Sequence, residues 1–357
     1  METAKSLFSA LAEKQPDNVW VYVGLGRTAF LEEDFKAALD YFQAALDIDP
    51  EHKMALLFSA EARSRLGDTD RALEEYEEAS QLDPSLAIGH LRISRIHMER
   101  EEYDQAEQRL RESLAFNPQQ APVRMMLAEL YEKQGRYDEA RDELERLIDI
   151  KPDSWLALYK LSRLFTREEK HDIAQALLEE ACDVSPGTAS LHYALGGVRL
   201  ALKDQVGALA AFEEARRLKP QLTAAGVRAA DCLVALGRKD EALKLLGDLS
   251  RRGRQPALIH QRLGDLYLST DRYSHAVEEY RAAVFNNPEL QEQHPELAAL
   301  IDSTDGDATV ARQFEACFAK IKLPVEDDSA SADRQGLFRG NRPGFRRRAA
   351  LAGSRGN

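Results

Sequence analysis

Seven prolines, Pro16, Pro50, Pro84, Pro118, Pro152, Pro186 and Pro220, recur at intervals of 34 residues. So regular a spacing marks one supersecondary unit repeated along the chain, and it excludes most single-core folds before any other residue is weighed. The next position in phase is Arg254, with Pro256 two residues late, and the phase returns at Pro288. The chain of 357 residues then divides into eight units, 19–52, 53–86, 87–120, 121–154, 155–188, 189–222, 223–256 and 257–290. Counting positions 1 to 34 within each unit exposes the columns. Position 20 is Ala throughout: Ala38, Ala72, Ala106, Ala140, Ala174, Ala208, Ala242 and Ala276. Position 8 is always small (Gly26, Ala60, Ser94, Ala128, Ser162, Gly196, Ala230, Gly264), and position 24 is always large (Phe42, Tyr76, Leu110, Leu144, Leu178, Phe212, Leu246, Tyr280).

Small residues let one helix backbone approach a large side chain of its neighbour at ridge-and-groove distances. Two helical patterns flank a short break in each unit, as at Leu66-Gly67-Asp68 and Gln134-Gly135-Arg136, where glycine can supply the left-handed conformation that ends a helix. The proline follows the second helix and disfavours helical geometry in the residue before it. Each unit therefore reads as a helix–turn–helix that buries its apolar face only by stacking on the next. Unit 7, with Gly226 and no proline in phase, is expected to pack most loosely.

This pattern resembles the tetratricopeptide repeat (TPR) family over about four fifths of the chain. Unit 4 shows it in Leu127-Ala128, Tyr131, Gly135-Arg136-Tyr137, Ala140 and Pro152. The family's favoured Trp at position 4 is replaced by Tyr22, Leu56, His90, Arg124, Leu158, His192, Gly226 and His260. The resemblance implies an all-α, right-handed superhelical solenoid whose first helices line a concave groove. The ends read in phase as well. Ala4, Phe8, Leu11 and Pro16 suit the second helix of an N-terminal half unit over 1–18. Leu297, Ala298, Val310, Phe314 and Cys317 suit a degenerate ninth unit, a cap over 291–324. A terminal unit needs a polar outer face, which Arg312, Gln313, Glu315 and Lys320 can supply.

Catalytic motifs are missing from this sequence: it holds no Walker loop, no GxSxG elbow and no HExxH. Gly24-Leu25-Gly26 begins like a dinucleotide fingerprint but lacks the third glycine and falls inside a helix. His90, His192, His260 and His294 share position 4, which points to a packing slot rather than a metal site, where ligands must converge on one point. Cys182, Cys232 and Cys317 lie far apart in packing columns, as expected of buried, inert thiols in a reducing compartment. The reading is therefore non-enzymatic, with no cofactor, no metal and no membrane insertion. The first residues lack the apolar core of a secretory signal, and the expected location is cytoplasmic.

Binding is the remaining chemistry. The family holds peptides or partner helices through positions 2, 5, 6, 9, 12 and 13 of the first helix. Over eight units these positions carry ten bases (Arg27, Arg65, Arg92, Arg95, Lys133, Lys160, Arg163, Arg167, Arg228, Arg262) and six acids (Glu61, Glu99, Glu129, Glu132, Asp231, Asp265). The whole chain carries −13. A groove more basic than its scaffold is suited to acidic partners. The central candidates are Arg92, Arg95, Lys160, Arg163 and Arg167, beside the apolar stripe of position 5 that includes Met125, Tyr159 and Tyr193. No groove position is Asn, so the carboxylate clamp by which some relatives hold chaperone tails is not expected.

The C-terminal segment changes character. Residues 325–333 are acidic and small, and residues 334–357 hold seven arginines and no acid, including Arg346, Arg347 and Arg348. Few large apolar residues are present to offset ordering entropy, so disorder is expected over 325–357. The sequence thus points to a scaffold or adaptor that binds a protein partner, an acidic peptide or helix, in a TPR groove. Two alternatives stand beside it: a nucleic-acid-associated protein acting through the Arg-rich tail, and an accessory subunit of an enzyme complex.

Overall fold

A computed structural model describes residues 2–251, 256–287, 289–290, 294–301, 307–321 and 323. The described residues are helical with tight turns and contain no strand. The fold is an all-α solenoid of helix pairs. It separates into two compact units, residues 1–152 and 153–357.

The first compact unit begins with helix Glu2–Lys14, which lies against Val19–Leu31 and sets the Phe8 ring on Gly24. Four helix pairs follow: Val19–Leu31 with Phe35–Ile48, Lys53–Arg65 with Thr69–Leu82, Ala87–Glu99 with Tyr103–Phe116, and Ala121–Lys133 with Tyr137–Ile150. The second compact unit repeats the arrangement with Trp155–Arg167 and His171–Val184, Ala189–Ala201 and Gln205–Leu218, Thr223–Ala235 and Lys239–Ser250, and Pro256–Leu268 and Tyr273–Phe285. First helices thus occupy positions 1–13 in units 1 to 7. Helices Pro295–Ile301 and Ala308–Ile321 follow, with Phe314 and Phe318 stacked on Tyr280 at 5.6 and 5.5 Å between ring centroids. Arg312, Gln313, Glu315 and Lys320 point to solvent.

Every position-20 alanine is fully buried. Beside it, the residue at position 8 sits under the side chain at position 24. A Cβ added at Gly26, Gly196 or Gly264 would meet the ring of Phe42, Phe212 or Tyr280 at 2.4, 2.7 and 2.6 Å. Glycine at position 8 thus coincides with a ring at position 24 in units 1, 6 and 8, whereas the leucines at position 24 face Ala or Ser. Burying each such ring contributes about 1.5–3 kcal/mol. At Gly226 itself the space is filled, since Leu249 would stand 2.7 Å from an added Cβ.

The turn between the two helices is the same in all eight units. Position 15 adopts positive φ at Glu33, Gly67, Glu101, Gly135, Glu169, Lys203, Gly237 and Asp271, with φ between 60° and 85°. Only three are glycine, although an L-residue in this region costs about 1–2 kcal/mol. Tertiary stacking evidently imposes the turn where the local sequence opposes it.

Two outcomes follow from these contacts. Gly196→Ala should destabilise by about 1–3 kcal/mol through overpacking on Phe212. Gly197→Ala, one residue on in the same helix with open space around it, should stabilise by up to about 1 kcal/mol through helix propensity. Denaturant titration of both variants checks the pair, and shifts of the same sign would contradict this packing. In the turns, Glu101→Gly should raise stability by up to about 1 kcal/mol, and Gly135→Ala should lower it by about the same amount. Thermal melts that moved in the reverse directions would contradict the turn geometry.

Candidate functional site

The position-4 residues explain themselves first. His90 Nε2 and His192 Nε2 each lie 3.0 Å from the carbonyl oxygen of the proline six residues earlier, Pro84 and Pro186. Arg124 donates to the Pro118 carbonyl in the same way and pairs at 2.5 Å with buried Glu143. His260 Nδ1 sits 2.6 Å from Glu279. In units 3, 4, 6 and 8 the slot thus ties the first helix to the turn before it or to its own second helix. No cluster of three or more His, Cys, Asp or Glu suited to a metal occurs among the described residues. Burial pushes the Cys182 and Cys232 thiols up to about 11 and raises that of Cys317, which keeps all three protonated and unreactive at neutral pH.

First helices of adjacent units touch, Val19–Leu31 against Lys53–Arg65 and Ala87–Glu99 against Ala121–Lys133, so they form a common face in the first compact unit. On it Glu61 is a hub. Its carboxylate accepts from the Tyr76 hydroxyl at 2.9 Å, pairs with Arg92 Nε at 2.9 Å and with Arg65 at 3.4 Å. Burial, reinforced by Glu61, raises the pKa of Tyr76 and keeps it a donor. Arg92 is thereby largely neutralised. Two cation–π contacts cross reciprocally between units 1 and 2: Arg27 over Phe58 at 5.2 Å and Arg65 over Phe30 at 5.8 Å. Arg95, in contrast, is exposed and makes no ion pair with a described residue. Met125 is buried at 8% exposure and offers a partner only its edge. Trp20 is 63% exposed, with the His52 ring edge-on at 4.7 Å.

In the second compact unit, Arg163 and Arg167 are exposed and Lys160 is half-buried. Arg163 lies 6.0 Å from the centroid of the Tyr159 ring, and Tyr159 itself is buried. Tyr193 is half-buried and packs against Phe212 at 5.5 Å. Further along, Arg262 is shared by Asp231 at 3.4 Å and Asp265 at 3.7 Å, and the Tyr280 hydroxyl donates to Asp265 at 2.7 Å. Burial raises both carboxyl pKa values, and Arg262 opposes the rise. Arg228 is half-buried without an ion pair to a described residue.

The structure therefore sorts the candidates. Arg95, Arg163 and Arg167 reach solvent; Arg92 is engaged by Glu61; Met125, Tyr159 and Tyr193 spend most of their surface on packing. The hub role of Glu61 and the exposed Trp20 were missed in the sequence. One signal was available: an acid at position 9 accompanies tyrosine at position 24 in units 2 and 8 alone. Arg346, Arg347 and Arg348, and the disorder expected for 325–357, lie outside the described residues. No described helix is long and apolar enough to cross a membrane.

Comparison with known proteins agrees with this geometry. Tetratricopeptide repeat profiles match residues 29–92, 97–163 and 199–261, with further matches over 2–53, 159–223 and 257–289. No curated protein sequence matches the chain. Among solved structures, the C-terminal part of a TPR repeat-containing protein from Cytophaga hutchinsonii is 14% identical with a TM-score of 0.51. The alignment covers 62% of this chain and 91% of that one. PilF of Pseudomonas aeruginosa is 19% identical with a TM-score of 0.50, covering 57% and 92%. At such identities the likeness is one of fold. With repeat profiles matching more than half of its length and the position-8, 20 and 24 columns packed as described, the chain belongs to the tetratricopeptide repeat family.

Proposed function

We propose that this protein is a non-enzymatic scaffold or adaptor in which the first helices of each compact unit, taken by itself, offer a face for an acidic peptide or helix of a protein partner. The observation that carries this reading is the contrast between engaged and available arginines. Arg65, Arg92 and Arg262 are held by Glu61, Asp231 and Asp265, whereas Arg95 and Arg163, both at position 9, are exposed without an internal acid. A surface guanidinium with no partner keeps its five donors for an incoming carboxylate. Leu91 lies one helical turn from Arg95, and Tyr159 one turn from Arg163, and their apolar edges offer a partner some dry contact. Such an arrangement favours steering and orientation by charge, with affinity completed by shallow apolar contacts.

The test is fluorescence anisotropy with sets of acidic, neutral and basic synthetic peptides of about 15 residues. Acidic peptides should bind best. The Arg95→Glu, Arg163→Glu double variant should weaken them at least about tenfold, equivalent to about 1.4 kcal/mol, with helicity by circular dichroism unchanged. The loss should shrink in high salt, where the Debye length falls from about 8 Å to about 3 Å. Peptide binding that ignores both charge and substitution would contradict the proposal.

A further inference from the structure

After the cap helix Ala308–Ile321, which rests on both helices of unit 8, half-buried Leu323 packs against two clusters at once. One is the cap cluster containing Tyr280 and Phe314. The other is built from units 6 to 8 and includes Val227, Leu258 and Leu266. Its unit-8 members all belong to the first helix. Leu323 therefore packs against a cluster to which the first helix of unit 8 contributes Leu258, Ile259, Leu263 and Leu266.

The residues that follow suit the first-helix face proposed for acidic partners. Positions 324–333 read PVEDDSASAD, with Glu326, Asp327, Asp328 and Asp333 and no base. Ten extended residues span up to about 33 Å, the width of three to four helices set 8–10 Å apart. Within the second compact unit, the groove positions of units 5 to 8 carry five bases, Lys160, Arg163, Arg167, Arg228 and Arg262, and two acids, Asp231 and Asp265. Both acids already face Arg262. Arg163 has no ion-pair partner among the described residues, and Arg228, also without an ion pair, acts on Asp231 only at longer range. Val325, an apolar residue, precedes the acidic run.

We propose that residues 324–333 dock on the first-helix face of units 5 to 8 as a tethered, competing ligand, with their carboxylates on Arg228 and Arg163. This inference rests on the reading of that face as a site for acidic partners, and it gives the site a built-in regulator. A short tether holds a segment at an effective concentration of about millimolar. A segment with an intrinsic dissociation constant of about 0.1 mM then fills the face about nine-tenths of the time and weakens an external competitor about tenfold. An external partner must out-compete it.

The experiment uses the full chain and a fluorescein-labelled synthetic peptide of residues 321–334 added in trans. Wild type is compared with the variant Glu326→Gln, Asp327→Asn, Asp328→Asn, Asp333→Asn. The peptide should bind the neutralised variant about tenfold more tightly, and the gap should close in 0.5 M salt. Adding Arg163→Glu and Arg228→Glu to either chain should abolish tight binding, with helicity unchanged. Equally tight binding to wild type and neutralised chains would overturn self-docking while leaving the scaffold reading intact. Failure of the peptide to bind the neutralised chain would also overturn it, since the segment would then be no ligand for this face. The scaffold reading stands or falls separately, on the unrelated acidic peptides.

Discussion

The contact on which the structure depends is the close approach of position 8 to position 24 within each helix pair. In three of the four units where position 24 carries a ring, at Phe42, Phe212 and Tyr280, position 8 is glycine; in unit 2, Tyr76 faces Ala60. Where position 24 carries leucine, a methyl or hydroxymethyl group is accommodated. Volume is thus traded across one contact in most pairs, which is how a close-packed interior tolerates sequence variation. The fully buried position-20 alanines complete the seam. With this much apolar surface committed between helices, the outward side of the first helices is left to charge.

That division of labour accounts for the character of the candidate site. It has shallow apolar edges and a set of arginines in two states. Internal acids hold Arg65, Arg92 and Arg262 in place at 2.9 to 3.7 Å, which keeps the face ordered and moderates its charge. Arg95 and Arg163 remain uncompensated. A face of this kind discriminates by charge and register more than by depth, and it is open to competition from any acidic segment tethered nearby.

Much of the fold was legible because it is written in columns. Proline spacing gave the period, and the small, alanine and large columns gave the helix pairing. The shared position of His90 and His192 pointed to a structural slot, which proves to be a hydrogen bond to the preceding proline carbonyl. The turn was legible only where glycine marked it, at Gly67, Gly135 and Gly237. At Glu33, Glu101, Glu169, Lys203 and Asp271 the same left-handed conformation is imposed by stacking, and no local signal announces it. In the site, the residue types could be read but not their engagement. That Arg92 is neutralised depends on Glu61, one unit away, and that Met125 and Tyr159 are mostly buried depends on the neighbours packed around their helices. The position of Leu323 against two clusters is likewise a product of tertiary packing.

The central claim is that available, rather than merely basic, arginines hold the partner. Nuclear magnetic resonance of arginine Nε–H groups reads each guanidinium separately. On adding an acidic peptide, the signals of Arg95 and Arg163 should shift and slow in solvent exchange, while those of Arg92, Arg124 and Arg136, already held by internal acids, stay in place. Shifts confined to arginines of the second helices, such as Arg71 and Arg217, with Arg95 and Arg163 unmoved, would contradict the account.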